Sequence, residues 1–321
     1  MRRKVLATLL GSAAGSVIQP GLASAQSYPT KPVRLVVPFP AGSATDNIAR
    51  LLARELQGDL SQPLVVDNRP GAQGIVGAEA VARSGPDGYT LLVAAVSFAA
   101  TPSLFRKVPF DPVADFITVS RLATTPLVMM VRSDLPVKTL TEFIDYAKGR
   151  RESLSGGYGS SSSQVCIAQL AALSGLSFVS VGYKGIPLAV NDLLAGAIQF
   201  AFVDLGNALA QAKGGKLRVL GVTSAKRSAI VSEWPALAET LPGYDIDAWI
   251  ALLAPRGLVS DIGLTLHAAL RRAMARPEVV EKLGAFGFTP ALSAPEDSGG
   301  FLKNEVDKWA RLSKQAGIEP E

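Results

Sequence analysis

Short apolar runs and stretches of helical periodicity alternate along this chain almost from end to end. The run "VRLVV", starting at Val33, has the length and composition of a buried strand. It meets the turn "PFPAGS", after which Ile48, Leu51, Leu52 and Leu56 recur at helical spacing and predict an amphipathic helix over 47–56. Ser43 or Thr45 is placed to cap that helix, and Asp46 suits its first turn. The alternation continues through "PLVVDN", the Gly-opened helix "GAQGIVGAEAVARS", "YTLLVAAV", "FDPVADFITVSRLATT", "PLVMMVR" and the helix "TLTEFIDYAKG". Next come "LSGGYGSSS", a helix over 164–173, "SFVSVGY", a helix over 187–195, "IQFAFVD", a short helix from Asn207, and "LRVLGVTS". "DAWIALLAP" then leads into a long helical tail. Repeated strand–helix units predict an α/β fold of mostly parallel sheets flanked by helices.

The strand–loop–helix design occurs at Val33 and again at Leu154, which predicts two lobes built alike. "RLATTPLV" and "TLPGYDIDAW" put Pro or Gly between strands and are the expected chain crossings. They divide the chain into a first lobe over 26–124, a second over 125–244 and a return to the first over 245–321. Ligands of such sheets sit beyond the carboxyl ends of the strands, so the two sets of strand ends would face one another across a hinged cleft.

The N-terminus changes how the charge is read. Arg2, Arg3 and Lys4 precede a mostly apolar stretch over 5–18, and "ASA" before Gln26 fits a signal-peptidase site. Gly11, Ser12, Gly15 and Ser16 interrupt that stretch, which falls short of the roughly 20 apolar residues that span a bilayer. Residues 1–25 therefore read as a cleaved signal for export to the periplasm. The formal charge of +5 includes three cations and no anion before Gln26, leaving +2, and no basic cluster is interleaved with aromatics. Neither nucleic acid nor a membrane surface is an expected partner. Cys166 is the single cysteine, so no intrachain disulfide forms; its place in "QVCIAQLAALSG" reads as a small buried hydrophobe.

Three small-residue loops follow predicted strands. "PFPAGSATD" contains Phe39, Ala41, Gly42, Ser43, Ala44, Thr45 and Asp46; "NRPGAQGIVGAE" contains Gly71, Ala72, Gln73, Gly74 and Gly77; "SGGYGSSSSQ" contains Ser160, Ser161, Ser162 and Ser163. Each feeds a helix N-terminus, where unpaired N–H groups and the helix dipole favour an anion. Neither GxxxxGK[ST] nor GxGxxG is present, which leaves a smaller anion such as a carboxylate, or no ligand at all, since many such loops simply turn. A bulky residue at Gly42 should block close backbone approach. Tyr183, Lys184 and Asp204 also lie at predicted strand ends. Tyr183 either donates to a ligand or is an ordinary half-buried aromatic; Asp204 either fixes a polar group or caps the adjacent helix.

Catalytic constellations are missing from the sequence. His267 is the only histidine and lies in the helical stretch "GLTLHAALRR"; one His and one Cys form neither HExxH nor a zinc cluster, and no GxSxG occurs. No metal or cofactor is expected. A secreted hydrolase using one of the serines at 160–163 is the rival reading, and a carboxylate-sensing partner of a signalling receptor is another.

Taken in order, "YPTKPVRLVVPFPAGSATD", "VDNRPGAQGIVGAEAVARSGPDGYTLLV", "FDPVADF", "GYKG", "DLLAGAIQFAFVD", "WIALLAPRG" and "KWARLSKQAGIEP" resemble the periplasmic solute-binding proteins of tripartite tricarboxylate transporters, the Bug proteins. The resemblance covers the mature chain. It implies a two-lobed periplasmic-binding-protein fold of type II, no catalysis, and a monomer that hands a small carboxylate to membrane transporter subunits. It further implies that the loop from Phe39 to Asp46 and the loop at Ala72, Gln73 and Gly74 hold the carboxylate by backbone N–H groups. Ser160, Ser161, Ser162, Tyr183 and Asp204 are the matching positions that would select the rest of the ligand. Backbone N–H groups recognise a carboxylate and not its substituent, so selection is expected to fall also to Phe39, Ser97 and Phe98. Ala41 departs from the family's usual Gly, and "SGGYGSSSSQVC" lacks its usual later Gly and His.

Overall fold

The computed structural model describes residues 28–294, 298–315 and 317–320. The expected signal segment lies outside the described residues. Each lobe grows from three parallel strands. In the first, β1 (Val33–Val37) lies between β2 (Leu64–Asn68) and β3 (Thr90–Ala95). Their crossovers are α1 (Ala44–Leu60) and α2 (Ile75–Ala82), and α3 (Ser97–Leu104) follows β3.

β4 spans Phe116–Arg132 as one continuous strand, where the sequence suggested two runs separated by Pro126. Its first part pairs antiparallel with β9 (Asp247–Pro255), up to Pro126 opposite Asp247. From Leu127 onward it pairs with two strands of the second lobe, β7 (Phe200–Asp204) and β8 (Leu217–Val222). Pro126 stands where the strand changes neighbours, so its missing N–H interrupts no ladder.

Between β4 and β7 in sequence run α4 (Leu140–Lys148), β5 (Ser155–Tyr158), α5 (Ser161–Ser174), β6 (Val179–Gly182) and α6 (Ile186–Ala195). β5 pairs parallel with both β6 and β7, and α7 (Leu205–Ala212) follows β7. The chain returns through β9 to α8 (Ser260–Met274), α9 (Pro277–Ala285), the two-residue β10 (Thr289–Pro290) and α10 (Ser298–Gln315). Both sheets are therefore mixed: parallel triplets joined through the antiparallel β4.

Thr223, fully buried, pins the two crossings together. Its Oγ1 accepts from Leu127 N at 2.8 Å and donates to Ile246 O at 2.6 Å, while Ile246 N donates to Thr223 O at 2.9 Å. One apolar cluster fills each outer lobe, and a third runs from one lobe to the other through Leu127, Met129 and Trp309. α10 packs on α3, β4 and α5 and so covers that shared core. Cys166 belongs to this cluster; it is fully buried, and burial pushes its thiol pKa up. Among the described residues, no helix is long and apolar enough to cross a membrane.

Candidate functional site

A cavity of about 540 Å³ is lined by residues of both sheets where the strand ends meet. Its floor includes the change-over of β4 at Thr125, Pro126 and Leu127. Among the described residues six helices begin at its wall: α1, α2 and α3 from the first lobe, α5, α6 and α7 from the second. Each of these N-termini puts its cap or its first residue into the lining.

The first loop is organised from beneath by Asp46. This side chain is 1% exposed and faces away from the cavity, against the expectation of ligand contact. Its Oδ2 accepts from Gly42 N at 2.8 Å and Arg50 Nε at 2.9 Å, and its Oδ1 accepts from Asn68 Nδ2 at 2.8 Å. Burial raises the carboxyl pKa, but Arg50, the Gly42 N–H and Asn68 outweigh it and hold the group below the usual carboxylate range. Gly42 is likewise absent from the lining. Its N–H is spent on Asp46, and a Cβ there would meet nothing within 4 Å, so its φ of +82°, not close approach, demands glycine. Ala41 is exposed and also outside the lining. What the loop presents to the cavity is Phe39, Ser43, Ala44 and Thr45. The Ser43 side chain accepts from Asp46 N at 3.2 Å, whereas the N–H groups of Ala44 and Thr45 meet no acceptor among the described residues.

The second loop is conformationally expensive. Gly71, Ala72, Gln73 and Gly74 have φ of +144°, +43°, +52° and +105° in succession. A left-handed conformation costs a non-glycine residue roughly 1–2 kcal/mol, and such strain concentrates at binding sites. All four residues line the cavity, and the Ala72 and Gln73 N–H groups find no acceptor among the described residues. Gly77 serves packing instead. A Cβ there would come within 2.9 Å of Pro38 Cα, so its absence lets α2 lock onto the first loop.

In the second lobe, Ser160 caps α5 in a box with Ser163, at 3.3 Å from the Ser163 N–H. Gly159 lies so close to α6 that a Cβ would stand 2.2 Å from Ile186 N, which sets two helix N-termini side by side. Tyr183 lines the cavity, but its hydroxyl donates to Asp192 Oδ2 at 2.7 Å; burial, aided by that carboxylate, pushes its pKa up to about 12. It offers a ligand its ring and an oxygen lone pair rather than a free donor. Asp204 also lines the cavity while capping α7: Oδ1 accepts from Asn207 N at 2.9 Å and Oδ2 from Asn207 Nδ2 at 2.7 Å. Lys184, exposed, is the single cation among the described lining residues.

This arrangement offers backbone donors at both ends, a lone ammonium, and apolar surfaces between them. Most of the sequence matches known relatives. The model of the tripartite tricarboxylate transporter family receptor matches residues 48–318. The chain belongs to that family. The protein BugT of Bordetella pertussis is 34% identical over 301 residues, covering 92% of either chain. Among solved structures, R. palustris Rpa4515 with adipate superposes with a TM-score of 0.83 at 32% identity, covering 92% of this chain and 100% of that one. MatC of Rhodopseudomonas palustris with bound malate gives 0.77 at 30% identity, covering 89% and 99%. Like these receptors, the chain has the two-lobed fold of a periplasmic binding protein.

Within this receptor the structure separates two neighbours that the sequence put together. Ser97 lines the cavity, but Phe98 is 6% exposed and packs with Phe110 and Phe116 at 5.5 and 4.9 Å between ring centroids. One step along α3 turns a side chain by about 100°, enough to send it into the core. Sequence reasoning missed walls drawn from distant segments: Leu127, Tyr158, Ile186, Trp249, Ile250 and Phe288. Trp249 is held in place from behind, its Nε1 donating to Glu305 Oε2 at 2.7 Å and its ring edge-on to Phe301 at 4.9 Å. Only the block "WIALLAPRG" pointed to that segment, and nothing in it marked Trp249 as a wall.

Proposed function

We propose that this receptor captures a small carboxylate between its lobes and delivers it to a tripartite tricarboxylate-type membrane transporter. The observation that carries the reading is the convergence, among the described residues, of six helix N-termini on one cavity, with the N–H groups of Ala44, Thr45, Ala72 and Gln73 meeting no acceptor among those residues. Each N-terminus carries about half a positive charge, so the cavity favours an anion although the charged side chains of its described lining are one lysine and one capped aspartate. The adipate and malate of the two solved relatives support a carboxylate. Ser160 and Ser163 are engaged in capping their own helix, and His267 lies on α8 outside the lining, which supports binding over hydrolysis.

In this reading the protein works in the periplasm as a monomer, after removal of residues 1–25. Residues 26–124 with 245–321 form one lobe and 125–244 the other, and they close over the ligand by bending at β4 and at the segment before β9. Closure is favoured only by contacts that the ligand makes better in the closed state.

The test is a thermal-shift screen of the purified mature chain against a panel of mono- and dicarboxylates, amines and uncharged sugars. A ligand at 100 times its dissociation constant should add roughly 2.7 kcal/mol to stability. The reading expects carboxylates alone to raise the melting temperature; a shift with amines or sugars and none with any acid would end it.

A further inference from the structure

Carboxylates cluster behind the stretch of cavity wall formed by Ala248 and Trp249, an unfavourable backing for a cavity that favours anions. Asp247 precedes Ala248 and begins β9 opposite Pro126, where β4 changes neighbours between the lobes. Successive side chains of a strand point to opposite faces, so Asp247 shares a face with Trp249. The Trp249 Nε1 donates to Glu305 Oε2 at 2.7 Å, which sets that face against α10. The charged groups around Asp247 are Asp245 on its own segment, Glu305 and Lys308 on α10, and Arg121 on β4. Among the described residues neither cation forms an ion pair with it, and the Arg121 Nε donates to Ala291 O at 3.1 Å. Asp46 differs: its carboxylate takes three hydrogen bonds, whereas that of the half-buried Asp247 takes none among the described residues.

We propose that ligand capture is coupled to a proton: as the anion enters the cavity, the Asp247 carboxylate behind the wall takes up a proton from solvent. The coupling rests on the carboxylate-capture reading. An ionised Asp247 and a bound carboxylate repel each other, and a nearby like charge favours the protonated form. Whatever the ligand does to proton affinity, the proton does to ligand affinity. Burial and the Asp245 charge, with Glu305 adding and Lys308 and Arg121 opposing, already push the pKa of Asp247 up to about 6. The ligand-free group therefore changes charge where a modest further push alters its occupancy near neutral pH. The sign follows: affinity is highest with Asp247 protonated and falls as pH rises through its midpoints in the free and bound protein. A neighbouring charge moves a carboxyl pKa by roughly 1–3 units at close range, and a group set behind the wall belongs at the lower end. With a shift of about one unit, affinity should be about fivefold lower at pH 8 than at pH 6.

The experiment is calorimetric titration of wild type and Asp247→Asn with succinate, malate, adipate and benzoate, continued with whichever binds most tightly. Titrations at pH 7 in phosphate and in Tris, whose heats of ionisation differ, count the protons exchanged. Wild type should take up about 0.4 proton per ligand bound at pH 7, the difference in protonation between midpoints near 6 and 7. Asp247→Asn should give the same heat in both buffers and equal affinities at pH 6 and pH 8. At pH 8 it should bind about tenfold more tightly than wild type, because the repelling charge is gone. His267 stays in both proteins, so proton uptake by that histidine would survive the substitution. Buffer-independent heat in wild type, or proton uptake that persists in Asp247→Asn, overturns the coupling while leaving carboxylate capture standing. Failure of every acid to bind wild type overturns both.

Discussion

Replacing Asp46 with alanine is expected to destabilise the chain by about 3 kcal/mol and to weaken carboxylate binding at least tenfold. The carboxylate is buried and takes three hydrogen bonds, from the Gly42 N–H, Arg50 and Asn68, that alanine cannot make. Hydrogen bonds to a charged group contribute about 1.5–3 kcal/mol each, less whatever water recovers once the side chain is gone. Arg50 lies half in solvent and recovers most of its share, whereas the Gly42 N–H and the Asn68 amide lie in the loop itself. Asn68 also donates to Phe39 O at 3.1 Å, so its loosening reaches the cavity wall. Affinity suffers because the ligand must then order a loop that Asp46 now holds ready. The depressed pKa sets a sign as well: this stability is present above the unfolded carboxylate range and is lost as pH falls through the folded pKa. Urea melts and titration calorimetry at pH 7 check both numbers. A loss under 1 kcal/mol with unchanged affinity would show that the loop holds its shape without Asp46.

The opposite pH dependence is expected from Asp247. It begins β9, opposite Pro126, where the chain re-enters the first lobe. Burial pushes its pKa from the usual value up to about 6; Asp245 and Glu305 add to the rise, while Lys308 and Arg121 oppose it. A raised folded pKa means stability is full below the unfolded carboxylate pKa of about 4 and declines as pH rises through about 6. Each pH unit over which the fold keeps a proton that the unfolded chain has released costs about 1.4 kcal/mol. The ionised carboxylate therefore takes away about 2–3 kcal/mol at pH 7 and above. Asp247→Asn removes that penalty, and at pH 8 the variant should melt about 5 °C higher than wild type, at roughly 2 °C per kcal/mol for a chain of this size. Its stability should stay flat between pH 4 and 6, where wild type declines. Thermal melts of both proteins at pH 4, 5, 6 and 8 decide it; parallel curves would mean that Asp247 ionises in the fold as it does in water.

Elements with a strong local signal were readable from the chain. The apolar run at Val33 and the spacing of Ile48, Leu51, Leu52 and Leu56 gave a strand and a helix because burial on one side imposes those periods. The three loops were readable for the same reason: small residues between a strand and a helix leave few other options. Direction was not readable. Asp46 and Thr45 are adjacent, yet one supports the loop from inside and the other faces the cavity. Four consecutive serines look alike in sequence, and only packing shows that Ser161 is the one whose hydroxyl finds no partner among the described residues. Tyr183 was readable as a strand-end aromatic, while its partner Asp192 arrives from α6. Walls such as Trp249 and Phe288 come from segments far from the loops, joined by tertiary contacts that no local pattern encodes.

Backbone N–H groups of the first lobe are expected to hold the ligand's carboxylate. Amide NMR of the 15N-labelled mature chain, titrated with the tightest acid from the thermal screen, tests it most directly. The N–H groups of Ala44, Thr45, Ala72 and Gln73, which find no acceptor among the described residues, should move downfield together. They should saturate with the dissociation constant measured by calorimetry, as expected for amides that gain a charged acceptor. Saturable binding that leaves these four amides in place would put the carboxylate elsewhere.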